Sequence, residues 1–248
     1  MKRTIILKYV FVRGIAVSSI DDLAGVMSQW SPEQKLGFAR ETAEMFAQDI
    51  ERLKAAGLWA DVEENEKTFL QARIDEVSPQ ERIDASWLAE SIACLLWALQ
   101  IVPELPSYDE EASHELVKML PATSIRDLAK QAHLRSKMEI EKQRDIAELW
   151  HWRSRTRKLQ QEGRLHGQLY GGRTIEQIIE LSASEGAKNG DLPQPIGSDF
   201  PALGKPYREL SAKEFAMLTS IAQERHKAFN WLCGLSPTGR WADTPTDT

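Results

Sequence analysis

The chain has 248 residues, of which 42% are hydrophobic and 27% charged, with a formal net charge of −6. That is enough chain to bury a sizeable core, and the composition is ordinary for a soluble globular protein. With no apolar run near the roughly 18 residues a bilayer span needs, and with only two cysteines, membrane-spanning and disulfide-stapled classes are excluded.

In chain order, Met1–Lys8 begins like a secretory signal, but Lys8 and Arg13 interrupt the apolar run before it reaches the length of an h-region. The chain therefore reads as cytoplasmic. Residues 4–12 fit either a short strand or a helical turn. Ser31-Pro32-Glu33-Gln34 supplies an N-cap, a proline at the first helical position and a capping-box Gln, so a helix runs from there to Gly57. Ser78-Pro79-Gln80-Glu81 repeats the device and opens a helix through Trp87, Leu95 and Leu99, ended by Pro103 and Pro106. A long polar helix is expected over 136–163 and a shorter one over 174–187. Residues 189–207, with Pro193, Pro195, Pro201 and Pro206, read as a loop. Ser211-Ala212-Lys213-Glu214 caps the last helix, and residues 236–248 form a tail. The expected fold is all-α, an irregular multi-helix globular domain spanning residues 1–248, with room for one short N-terminal strand.

Charge is uneven along the chain: residues 1–20 carry +4, 21–120 carry −13, 126–173 carry +6 and 174–248 carry −3. The bland account is mutual attraction on folding; the sharper one is an acidic surface that meets a cationic protein partner. Trp150, Trp152, Arg153, Arg155, Arg157 and Lys158 have the composition of a nucleic-acid patch, yet the acidic balance of the whole chain disfavours that partner.

The polar residues near the chain's end draw attention to a site. Phe215, Leu218, Ala222, Arg225, Phe229 and Leu232 recur at helical spacing, which puts Arg225 on the apolar stripe. A buried guanidinium calls for a partner, and Glu90, Asp243 and Asp247 are the candidates. His226 and Asn230 stand four residues apart on another face, and His151 lies between two tryptophans. This cluster, with Trp231 and Trp241, is either a structural polar network or a binding site. The two Glu-x-x-His spacings, Glu111…His114 and Glu148…His151, have the form used by di-metal bundles but are close to chance; no metal or other cofactor is expected. Cys94 and Cys233 read as buried free thiols.

Three segments resemble one family. Glu90–Leu99, His151-Trp152-Arg153, and the run Glu224-Arg225-His226…Asn230-Trp231-Leu232 with Trp241, Asp243 and Asp247-Thr248 are similar to the bacterial proteins grouped as domain of unknown function 4272. Two positions depart from the expected pattern: Gln100 stands in place of a helix-ending glycine and Ala242 in place of an aspartate. The resemblance implies fold and motif location, not a reaction. The functional expectation is a non-enzymatic protein-interaction protein, immunity-type or regulatory, with an unidentified protein partner. The alternative is an enzyme or small-ligand binder with its site around Arg225, His226 and Asn230.

Overall fold

A computed structural model of the chain describes residues 1–22, 27–121, 124–165, 167 and 170–247. Among the described residues nine α-helices carry the structure: α1 (Lys2–Asp22), α2 (Pro32–Ala55), α3 (Glu64–Gln71), α4 (Pro79–Ala98), α5 (Glu115–Lys118), α6 (Ile125–Gln131), α7 (Lys137–Gln161), α8 (Ile175–Lys188) and α9 (Ala212–Leu232). The only sheet among them is a pair of two-residue antiparallel strands, β1 (Pro201–Ala202) and β2 (Lys205–Pro206). The fold is therefore all-α and irregular, as its sequence implies.

The helix starts follow from local chemistry. Ser31, Ser78, Ser136, Thr174 and Ser211 each accept from the N–H three residues on, while the Gln or Glu there reaches back to the cap N–H. Two orphan donors are satisfied at each start. Residues 4–12, for which strand and helical turn both stood open, lie inside α1. The stretch 189–207, expected as a loop, holds β1 and β2 and an Ile196–Asp199 bridge.

The chain divides into two compact units. The first comprises residues 1–105, 112–135 and 240–242; the second comprises 106–111, 136–239 and 243–248. In the first unit α1 packs along α4. Ile5, Ile6, Leu7, Val10 and Phe11 of α1 are buried, and every residue from Ala89 to Ala98 of α4 is buried as well. Helices apolar on all sides belong in a core. The two cross closely at Gly14, where a Cβ would stand 2.5 Å from the Cβ of Ala85. Arg3 is buried with them and binds Glu66 at 2.5 Å and Glu63 at 2.9 Å; Glu63 also accepts the main-chain N–H groups of Trp241 (2.5 Å) and Ala242 (2.9 Å).

The end of α4 shows why a glycine is expected at position 100. Gln100 adopts φ +56°, with its N–H on the Trp97 carbonyl (2.9 Å) and the Ile101 N–H on the Leu96 carbonyl (2.9 Å). This is a Schellman turn, whose left-handed residue is ordinarily glycine because it lacks a Cβ. Gln100→Gly is expected to leave the fold intact and stabilise it by about 0.5–1 kcal/mol, read as a higher urea midpoint at unchanged slope.

The second unit is built on α7 and α9. Trp150 stacks on Tyr108 (5.3 Å between ring centroids, 7° between planes) and meets Phe200 edge-on at 5.6 Å. Arg153 forms a two-pronged ion pair with Asp199, Nε to Oδ1 at 2.7 Å and Nη2 to Oδ2 at 2.8 Å, with both side chains 1% exposed. Asp199 also accepts the Phe200 and Arg208 N–H groups at 2.8 and 2.9 Å. Arg157 donates to the carbonyls of Tyr207 (2.7 Å) and Leu210 (2.6 Å). No described helix is long and apolar enough to cross a membrane.

Candidate functional site

Three of the singled-out residues meet in the second unit. His151 of α7 and the α9 pair His226 and Asn230 are 4%, 2% and 4% exposed. Their hydrogen bonds run in one direction, and the direction can be derived. The Pro245 carbonyl accepts a hydrogen bond at 2.9 Å from Asn230 Nδ2, so that atom is the amide nitrogen. The same Nδ2 lies 2.9 Å from His226 Nε2, which must therefore accept. His226 then carries its proton on Nδ1 and donates across 3.0 Å to His151 Nδ1. His151 is left with its Nδ1 lone pair occupied and its proton on Nε2. Asn230 Oδ1 is buried without a hydrogen-bond partner among the described residues.

Both rings are neutral at pH 7. Burial pushes His151 down to about 4, helped by His226 and Arg155, and burial also pushes His226 down to about 4, helped by Arg144.

Arg225 does different work. It is fully buried and donates to the carbonyls of Pro106 (2.7 Å), Ser107 (3.1 Å) and Glu110 (2.9 Å), with its guanidinium 4.8 Å above the Tyr108 ring. These main-chain acceptors fasten residues 106–110 to α9. Trp231 donates to the Gly239 carbonyl at 3.2 Å; Asp243, exposed, accepts from Thr238 at 2.5 Å; Asp247 is exposed. Glu90 and Trp241 belong to the first unit, where Glu90 is 1% exposed and accepts the Ala112 N–H at 2.6 Å, and Trp241 is held through its main chain by Glu63.

No group of three or more His, Cys, Asp or Glu among the described residues stands close enough to share a metal ion. Of the Glu-x-x-His spacings, His114 packs edge-on against Phe11 at 4.9 Å and Glu148 pairs with Arg144 at 2.7 Å. Neither Cys94 nor Cys233 is in a disulfide; Cys94 is buried as expected, whereas Cys233 is only half-buried.

Beside His151, α7 and α9 frame an open cleft of about 750 Å³. His151, Ser154, Arg155, Lys158 and Arg164 line it from one side, and Phe215 and Thr219 from the other. Arg155 and Lys158 are exposed and have no ion pair among the described residues, whereas Arg164 is 3.3 Å from Glu162. The hydroxyls are already engaged: Ser154 bonds Tyr207 at 2.6 Å, and Thr219 donates to the Phe215 carbonyl at 2.7 Å. Glu162, Gln161 and Gln223 also line the cleft; the charges on its wall that lack an ion pair among the described residues are the cations Arg155 and Lys158, with the neutral His151 beside them.

The helical spacing 150, 153, 154, 157 is the inward stripe of α7, and 155 and 158 face out. Trp150, Arg153 and Arg157 are thus core residues, so half of the apparent nucleic-acid patch is interior.

These features define an all-α protein of two compact units with a cationic cleft in the second. The chain matches the family described as Domain of unknown function (DUF4272) over residues 1–173 and belongs to it. The matched stretch includes Glu90–Leu99 and His151–Arg153, while the Glu224–Thr248 run lies beyond it. No curated protein and no solved structure matches the chain.

Proposed function

We propose that the protein is a non-catalytic binding protein that takes an anionic, oxygen-rich small molecule into the cleft between α7 and α9. The observation that carries this reading is the hydrogen-bond relay from Pro245 through Asn230 and His226, which leaves His151 a fixed donor beside Arg155 and Lys158. A general base needs an available lone pair on a group titrating near the working pH. His151 has its Nδ1 lone pair occupied and titrates near 4, so it is suited to hold an anion rather than to move a proton. We take the protein as cytoplasmic, in keeping with its two unbridged cysteines.

The test uses pyrophosphate and citrate as probes in titration calorimetry. Saturable binding of at least one is expected, weakened about ten-fold or more in Arg155→Glu and in Lys158→Glu. Both side chains are exposed, so the variants should fold. Equal affinity in wild type and charge-reversed variants, or no binding of either probe, rejects the reading.

A second reading, an immunity-type or regulatory protein with a protein partner, is favoured by α2. Only Thr42, Phe46 and Leu53 of its 24 residues are buried, while Leu36 is 73% and Met45 44% exposed. Stoichiometric capture of a partner from the native host, lost in Leu36→Asp/Met45→Asp, would favour it over the cleft.

A further inference from the structure

A second cavity, of about 690 Å³, lies in the first unit and is independent of the cleft. Its walls are mainly apolar, with Ile20 of α1, Phe38, Phe46 and Ile50 of α2, and Leu70 of α3. That is the size and character of a site for a drug-sized or lipid-sized molecule. Its charged lining residues are Arg13, Arg73, Asp75 and Arg82, and of these Arg13 is the buried one. Arg13, 4% exposed, lies with its guanidinium 4.1 Å above the Phe46 ring.

Arg13 Nε donates to the Phe69 carbonyl at 2.9 Å and Nη2 donates to the Ala72 carbonyl. Nη1 has no hydrogen bond among the described residues, and no carboxylate lies within ion-pairing distance of the guanidinium. The nearby acids are committed elsewhere: Asp49, which acts on Arg13 from α2, binds Arg52 at 2.7 Å, and Asp75 binds Arg73 at 2.6 Å. Burial pushes Arg13 down to about 10, which still leaves it charged at neutral pH. A buried cation held by two main-chain carbonyls and an aromatic face, with no carboxylate in contact, is costly unless a counter-charge joins it. An anion with an apolar body would supply both the charge and the filling.

We infer that this cavity binds an amphipathic carboxylate, an unbranched fatty acid or a molecule of the same chemistry, with its carboxylate on Arg13 and its apolar body against α2. The pairing uses the fork geometry by which guanidinium recognises carboxylate. It also accounts for α2: the face carrying Phe38, Ala43 and Ile50 borders a cavity where a packed core would be expected.

The test is calorimetric titration of the full chain with laurate below its micelle threshold, beside dodecanol as the uncharged analogue of equal length. Laurate should saturate one site and bind at least about ten-fold more tightly than dodecanol. Ala43→Trp places an indole from an exposed α2 position into the cavity and should abolish laurate binding at an unchanged urea midpoint. Ala47→Trp serves the same purpose if the first variant loses helical signal. Absence of saturable laurate binding, equal affinity for the alcohol, or binding unaffected by the filled cavity overturns the inference. So does a concentration-dependent dimer in sedimentation that Ala43→Trp abolishes, since a second copy of the chain would then be the occupant.

Discussion

Between pH 7 and pH 4 the protein is expected to lose stability through one pair of rings, His151 and His226, by up to about 3 kcal/mol for each ring. In the unfolded chain each takes a proton near 6.5; in the folded protein each resists protonation until about 4. From about 6.5 down to about 4 the unfolded state therefore binds more protons, and stability falls as pH falls. Above 6.5 both states are neutral and the contribution is complete. The cause is burial, reinforced by mutual repulsion: protonating His151 would set two donors face to face across the 3.0 Å contact with His226 Nδ1. Urea unfolding at a series of pH values measures the slope directly. A double variant, His151→Gln with His226→Gln, carries no charge at any pH in this range and should show a distinctly flatter profile between 6.5 and 4. Superimposable profiles would mean that the rings are not held neutral. Losses below about pH 4 have another origin, since Glu214, held down to about 2 by Lys205 and Ser211, gives up its contribution as pH falls from its ordinary 4.5 toward 2.

Asp199→Ala is expected to cost about 3–5 kcal/mol, the penalty for breaking a buried ion pair from one side. The carboxylate holds both prongs of Arg153 and the N–H groups of Phe200 and Arg208, so its removal strands a fully buried guanidinium and two main-chain donors. Arg153 Nη1 already has no hydrogen bond among the described residues, which leaves the charge to the face of Tyr207, 4.9 Å away. Asp199→Asn keeps an acceptor and should cost less than alanine. Arg153→Met combined with Asp199→Leu should recover much of the loss, because a pair replaced by apolar groups leaves no charge stranded. Chemical denaturation of the three variants decides it: an alanine effect below about 1 kcal/mol would show that the pair is solvated.

The sequence was most legible where the local signal is self-contained. The capping boxes at Ser31, Ser78 and Ser211 act within three residues of themselves, and each helix they announce is present. The His226–Asn230 contact was readable for the same reason, since it spans one helical turn. The partner of His226 was not, because His151 lies 75 positions away and no pattern links them. Asp199 carries no such local signal, because it sits among prolines and glycines that read as loop. The acceptors of Arg225 and Arg157 are main-chain carbonyls, which every residue possesses and which leave no mark in sequence. Helix α1 stood ambiguous between strand and helix because it is buried on several sides, and an apolar run without alternation has no period to read.

The grip of Glu63 on Trp241 and Ala242, beside its pair with Arg3, bears on how the molecule can be dissected. Residues 240–242 belong with the first unit although the chain on both sides of them belongs with the second, and residues 106–111 are interleaved in the opposite sense. A cut at the start of α7 therefore yields two fragments, each lacking part of its own fabric. The N-terminal piece forfeits the strand of backbone that Glu63 clasps; the C-terminal piece forfeits the carbonyls that neutralise Arg225. Separate expression of the halves should give poorly folded material, and co-expression should restore it by complementation. For work on either cavity, the intact chain is the smallest useful unit.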